Sequence, residues 1–502
     1  MASPNFGAGF RLATTTTMGR SVVALRHVPA GSVVLQAQPT GHTAVLLDNV
    51  IGAKTHCCLC LCPSPTVTLC ESSQCIASLC QECRTSPTRL SVHTLECGRS
   101  SEESELTRSL IRLIYSERES PELVADLTIL EDHMDQYDDY RKEAWKDVVE
   151  RAMQLTGLPL PPTPGASAVV LRWMRVAAAF ESNEFGITCP NRWKGESALS
   201  LGSESIGNGL FVHGSYVNHS CNPNSHFVVH CLPGGNPELF IRTTRTLEKG
   251  DHVFISYTSL YATTEQRKDA LFDMYQFECR CERCEAAQDE TQVAGLIDTA
   301  MTGMLCKDAS CGAGLLVSPA DEVESGEEVE DDEEDNEGNW ICSECGTMQA
   351  TDGHMKCHQR LSQAISELTV VVGMGESSSS EQLKELKLAE MEAWNYLHSF
   401  HGLRHAARIM MVGMAWLNTN GKDAVQISRA AENALGPLRR AQTLDEYALW
   451  IATLEMLCGD ATTKKHCMKV FQHHFGNKVG QSFDVNKEQL AANPRPAKRR
   501  KQ

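Results

Sequence analysis

The residues of this chain best equipped for chemistry are its cysteines, 22 in 502 positions, because most of them stand in pairs close enough to serve one ion. Cys57-x2-Cys60, Cys70-x4-Cys75, Cys80-x2-Cys83 and His93-x3-Cys97 are four such pairs, enough for two tetrahedral zinc ions. A tight turn aims two ligands at an ion, and a second turn completes the tetrahedron. Cys58 and Cys62 are spare, which leaves the register of the first pair open. The competing reading, free thiols or redox cysteines, fits this density and the closing His-x3-Cys poorly. Cys279-x-Cys281-x2-Cys284 offers three thiolates where structural zinc takes four, so a fourth ligand has to come from elsewhere. Cys306-x4-Cys311 and Cys342-x2-Cys345 have the arrangement of a zinc ribbon with a long loop between its halves. Cys189, Cys231, Cys357, Cys458 and Cys467 stand alone and read as core thiols.

Clustered cysteines point to metal rather than disulfides in a reducing compartment, and the first thirty residues lack the basic start and apolar core of a secretory leader. An intracellular protein is expected. No apolar run approaches the ~18 residues of a spanning helix, so a membrane role drops out, and the length and 42% hydrophobic content exclude a single small module. The net charge is −18, but residues 321–337 (DEVESGEEVEDDEEDNE) hold twelve acids and no base, which leaves −6 for everything else. That run is expected to be a solvated loop, with contact to basic partners such as histone tails as its functional alternative. Arg495, Lys498, Arg499, Arg500 and Lys501 form a basic cluster of the kind read by nuclear import receptors, so nucleus and cytoplasm are the expected locations. No basic and aromatic stripe accompanies the zinc clusters, which argues against sequence-specific nucleic-acid binding.

The elements that must position these ligands alternate between β and helical patterns. SVVAL (21–25) and SVVLQ (32–36) read as strands joined by a turn at Pro29, Ala30 and Gly31. The cysteine block breaks this β-unit, and the pattern is helical from about Glu102 to Arg175, with PLPPTP as a hinge. LFIRTTRTL and HVFISY flank the turn Glu248-Lys249-Gly250-Asp251, so the β-unit resumes and one domain is split by insertions. Beyond Cys345, EQLKELKLAEMEAWNYLHSF and LRHAARIMMVGMAWL carry apolar residues at helical spacing, without a strict repeat.

GSYVNHSCNPNSH, EKGDHVFISY and FECRCERC, in that order, resemble the signature of SET-domain protein lysine methyltransferases. The cysteine block after the first strands narrows the resemblance to the SET-and-MYND family. It covers residues 10–290 by motif, and the ribbon and helical C-terminal part look like those of arthropod-type members. The resemblance implies an α+β fold: a SET β-fold split by a MYND zinc module and a helical insert, with a post-SET zinc site, a zinc-ribbon-like segment and a helical C-terminal domain. The expected boundaries are 1–52 for the N-terminal SET part, 53–100 for the MYND module, 101–200 for the helical insert and 201–258 for the core SET. Residues 259–290 would form the post-SET segment, 300–350 the ribbon with its acidic loop, 355–480 the helical domain and 481–502 a basic tail.

The resemblance further implies S-adenosylmethionine as donor, a lysine of a histone or non-histone protein as acceptor, and peptide partners for the MYND module. It supplies Cys221 as the missing ligand of the Cys279, Cys281 and Cys284 site, making about four zinc ions. Position by position, Asn218 and His219 match residues that hold the donor's adenine and amino-acid parts, and Asn183 in FESNEF matches a contact to its amino-acid end. Tyr257 matches the tyrosine beside the reacting methyl, Phe277 the aromatic on the adenine, and Tyr275 a wall of the lysine channel. Arg20 lies in a first-strand loop that departs from the family's Gly-x-Gly as Gly19-Arg20-Ser21, where the added side chain is expected beside the donor. Methyl transfer from a sulfonium is an in-line displacement, in which alignment supplies much of the rate. The acceptor lysine, with a free pKa of ~10.4, must lose its proton. No metal is needed for that reaction, so the zinc ions are expected to be structural. The rival reading is an adaptor that keeps the SET scaffold and recruits partners through the MYND module. Affinity for the donor separates the two.

Overall fold

Stiff β-branched residues fit a pleated, half-buried surface, and the chain begins with such runs. The computed structural model describes residues 5–411 apart from short stretches, the longest being 122–126, 159–167, 189–204, 318–338 and 374–379. The acidic run, PLPPTP, the basic tail, the helical pattern beyond 411 and Cys189, Cys458 and Cys467 lie outside the described residues.

Strand β1 (Phe10–Thr15) pairs antiparallel with β2 (Gly19–Ala24), in register from Phe10↔Ala24 to Thr15↔Gly19. β3 (Val33–Ala37) does not fold back on β2, as their short separation suggests. It joins β11 (Glu238–Thr243), which pairs in turn with β10 (Ser225–His230). The reason lies in the turn between them. The Val28 and Gly31 N–H groups donate to the carbonyls of Leu247 and Thr243, so the turn is gripped by the far end of the domain rather than closing a local hairpin. β4 (Val45–Leu46), β8 (Ser205–Leu210) and β7 (Glu184–Thr188) form a second three-stranded sheet, and β9 (Asn218–His219) lies parallel to β12 (Phe254–Ile255). Residues separated by two insertions thus form one β-domain.

The first insertion holds a short helix α1 (Asp48–Ile51), the ribbon of β5 (Thr68–Leu69) and β6 (Ser78–Leu79), and helices α2 (Gln81–Arg84) and α3 (Pro87–Glu96). The second holds α4 (Glu105–Glu119), α5 (Asp139–Thr156) and α6 (Ala168–Asn183) around Leu110, Ile114, Trp145, Val149, Trp173 and Phe180. Asp138 caps α5 by accepting the Arg141 N–H at 2.8 Å, and Gly157 ends it at φ 68°, a conformation that costs glycine little. The two insertions meet at Arg112, whose buried guanidinium binds Glu96 and the carbonyls of Ala44 and Cys58.

After the β-domain come α7 (Thr264–Tyr275), opened by a Thr263/Gln266 capping box, then α8 (Glu282–Ala286) and α9 (Val293–Thr302). β13 (Met304–Leu305), β14 (Leu315–Val317), β15 (Asn339–Cys342) and β16 (Met348–Ala350) make one antiparallel sheet in chain order. It packs on α10 (Asp352–Gly373) and α11 (Ser380–Ala393) through Leu316, Leu361, Leu386 and Leu397. Among the described residues no helix is long and apolar enough to cross a membrane.

Candidate active site and zinc centres

Four ligand sets converge: Cys57, Cys60, Cys80 and Cys83; Cys70, Cys75, His93 and Cys97; Cys221, Cys279, Cys281 and Cys284; and Cys306, Cys311, Cys342 and Cys345. A tetrahedron with Zn–S bonds of about 2.3 Å has S···S edges of about 3.8 Å. The sulfurs of Cys60 and Cys80 are 3.7 Å apart, Cys70 and Cys97 3.6 Å, Cys221 and Cys284 3.5 Å, Cys221 and Cys279 4.0 Å, and Cys306 and Cys345 3.8 Å. These spacings are far beyond the ~2.05 Å of a disulfide, and they fit an ion at each centre. In the first block, the first and third pairs share one site while the second pair joins His93 and Cys97, a cross-braced arrangement. Cys58 and Cys62 fall outside both quartets, Cys58 near the ring of His93 and Cys62 near Cys60.

The third quartet stands directly beside the other candidate residues. Strand pairing with β12 sets Asn218 opposite Phe254 and His219 opposite Ile255, and two residues further on each strand lie Ser220-Cys221 and Tyr257. His219 Nδ1 accepts the Tyr257 backbone N–H at 2.9 Å, so a neutral ring carries its proton on Nε2, which is 3.3 Å from Cys221 Sγ. His219 therefore links a metal-binding thiolate to Tyr257. Around it, the rings of His219 and Tyr257 are 5.4 Å apart, His219 and Phe277 6.1 Å, Tyr257 and Tyr275 5.0 Å, and Tyr275 and Phe277 6.4 Å. The Tyr257 hydroxyl donates to the Val217 carbonyl at 2.8 Å. Burial holds the Tyr257 phenol well above its ordinary value, and Tyr275 is pushed up to about 12 by burial and then by the charge of Glu184. Both hydroxyls stay protonated at neutral pH.

The other candidates surround this cluster. Asn218 Nδ2 donates to the carbonyls of Met18 at 3.1 Å and Arg20 at 3.0 Å, tying the first-strand loop to the NHSC turn. Asn183, the last residue of α6, donates to the Glu131 carbonyl at 2.9 Å, and the Arg20 guanidinium donates to that of Ile129 while lying over the Tyr216 ring. Arg20 and Asn183 therefore grip the same segment from two sides. Ser21 is fully buried, and its hydroxyl bonds His252 Nδ1 at 2.7 Å. The side chain added by the departure from Gly-x-Gly is thus turned into the packing between β2 and the loop before β12.

Sequence reading passes over three participants. His252 takes up Ser21. Tyr137 fixes the end of α7 by donating to the carbonyl of Met274 at 3.2 Å. Glu184, directly after Asn183, is half-buried, and desolvation followed by the charges of Glu181 and Glu105 raises its carboxyl to about 8.

Fold and site together define the class: residues 19–258 match the SET domain family. The mouse (Mus musculus) histone-lysine N-methyltransferase SMYD3 is 34% identical over 90 residues, covering 18% of this chain and 20% of its own. The chicken (Gallus gallus) N-lysine methyltransferase SMYD2 is 26% identical over 285 residues, covering 55% and 59%, and the human (Homo sapiens) N-lysine methyltransferase SMYD2 is 28% identical over 204 residues, covering 38% and 42%. This chain thus spans less than two thirds of each relative's length. Residues 19–258 are thus similar to a SET domain, interrupted by two Cys-rich ligand sets and followed by Cys279, Cys281 and Cys284, and the chain is similar to these SMYD methyltransferases.

Proposed function

We propose that the chain is an S-adenosylmethionine-dependent protein lysine N-methyltransferase, acting on histone or non-histone proteins in the nucleus and cytoplasm. In this reading its zinc ions are structural and its MYND module offers a surface to peptide partners. The supporting observation is the meeting of Tyr257, Tyr275, Phe277 and His219 at a corner pinned by the third zinc quartet, in a chain whose relatives carry methyltransferase names.

When bound, the donor supplies a methyl group on a positive sulfonium. Phe277 offers it a half-buried aromatic face. Asn218 holds the first-strand loop against the NHSC turn, so the backbones of Arg20 and His219 are fixed before the donor arrives. Asn183 and Arg20 close the other side through the segment 129–131. Tyr257 commits its proton to the Val217 carbonyl, which leaves its oxygen to accept hydrogen bonds from the amine and orient it. Because the phenol is held neutral, its task is alignment, not proton removal.

Transfer of label from methyl-labelled donor to proteome extract tests the reading. Tyr257→Phe should slow turnover far more than it weakens donor binding, whereas Asn218→Ala should weaken binding in a calorimetric titration by about 1–3 kcal/mol. Zinc-loaded protein that binds no donor would overturn the proposal in favour of an adaptor.

A further inference from the structure

Arg267, on α7, is completely buried. Its guanidinium donates to the Ala262 carbonyl and, at 2.7 Å, to the Thr264 hydroxyl, and its Nη2 lies 4.0 Å from Cys284 Sγ. Its Nε is buried with no partner. An arginine keeps its proton inside a protein, so this cation needs an anion close by. Asp298 of α9, the acid that approaches it, stops at 4.0 Å and accepts the Thr264 N–H through its other oxygen. Arg283 of α8 reaches the same ligand set. Its Nη1 donates to the carbonyls of Leu260 at 3.0 Å and Cys221 at 3.3 Å, while its Nη2 is buried without a partner. Two guanidinium groups thus stand against Cys221 and Cys284, whose sulfurs are 3.5 Å apart.

Four thiolates on one divalent ion leave two negative charges in excess. We propose that Arg267 and Arg283 are the counter-ions of the third zinc centre, so that the metal and the guanidinium pair hold one another in place. Without the ion the thiolates take up protons, the excess charge disappears, and Arg267 is left as an unbalanced buried cation. The ribbon quartet has four thiolates without that support. Donors to its sulfurs are neutral: Gln349 Nε2 to Cys306 at 2.8 Å and the Glu344 N–H to Cys342 at 3.4 Å. Lys307 turns away from it, its ammonium on the Asn395 carbonyl at 2.7 Å and over the Tyr396 ring. Cys345 is exposed. The third centre therefore keeps its metal when the ribbon centre gives it up. Because Cys221 Sγ also lies 3.3 Å from His219 Nε2, the centre held more firmly is the one joined to Tyr257. The inference concerns metal retention and stands whether or not the chain transfers methyl groups.

The test adds excess chelator to the zinc-loaded full chain and alkylates it at intervals with N-ethylmaleimide, each cysteine being followed by peptide mass spectrometry. In the wild type the ribbon cysteines should be labelled about tenfold faster than Cys221, Cys279, Cys281 and Cys284. Arg267→Met should label the third set about tenfold faster than the wild type does and leave the other three sets unchanged. Arg267→Lys, which keeps the charge, should restore most of the protection, and Arg283→Met should act in the same direction as Arg267→Met. If Arg267→Met does not fold, Arg267→Lys and Arg283→Met carry the same comparison. A third set labelled before the ribbon in the wild type overturns the inference. So does wild-type labelling of that set in the methionine variants, or faster labelling of all four sets together, which marks a general loss of packing. Arg267→Lys as labile as Arg267→Met means that charge is not what protects the centre, and Asp298→Asn matching Arg267→Met makes the carboxylate the partner instead; either result overturns it.

Discussion

Ser21 stands where the family's second glycine is expected, yet it is buried and bonded to His252. Ser21→Gly should therefore leave donor affinity little changed, while losing about 1–2 kcal/mol of stability from the missing hydrogen bond and the added backbone freedom. Paired calorimetry and denaturant unfolding check both halves. Glu184 carries the opposite balance, because its folded-state pKa is raised. Its proton is held more tightly in the folded chain, so its contribution is fully present below the ordinary carboxyl range and is lost as pH rises through about 8. Glu184→Gln should accordingly raise the melting temperature at pH 8 and leave it unchanged at pH 4, the reverse of what removing a salt-bridged carboxylate does. Neither residue is legible from sequence alone. Asn218, His219, Tyr257 and Phe277 announce themselves by motif, whereas a lone acid at a helix end looks solvated until its neighbours are known.

Among the elements, the zinc ligands were the most readable because tetrahedral coordination demands pairs at short spacing, and the helical insert followed from periodicity. Strand partnership was not readable. β2 and β3 look like a hairpin, but β2 pairs back on β1, and what β3 pairs with is decided by contacts such as Gln36 with Glu238, 202 positions away, which leave no local trace. The junction of the two insertions shows the same limit: Arg112 on α4 and Glu96 on α3 are both buried and bonded at 2.5 Å. Arg112→Ala should cost about 3–5 kcal/mol, because Glu96 is then left charged and buried. Replacing both residues with apolar side chains of similar volume should restore much of that loss. Chemical denaturation of the two variants decides it, and equal stability of both would mean the pair is not coupled.

For the molecule as a whole, four converging ligand sets lead to an expected content of four zinc ions per chain by elemental analysis, and two or fewer would remove at least two centres. Cys281→Ser should lower stability as well as activity, since structural zinc contributes to folding. The long reach of β3 has a consequence for biosynthesis. Its partner β11 is made some two hundred positions later, which at ~5–20 residues per second is a wait of roughly 10–40 s on the ribosome. Over that interval β3 has no sheet to join, although β1 and β2 can already pair with each other. The zinc module of residues 57–97, by contrast, holds all its ligands within one short span and can close as soon as it emerges. Metal supply during translation would then set whether β3 waits beside a folded module or an unfolded one.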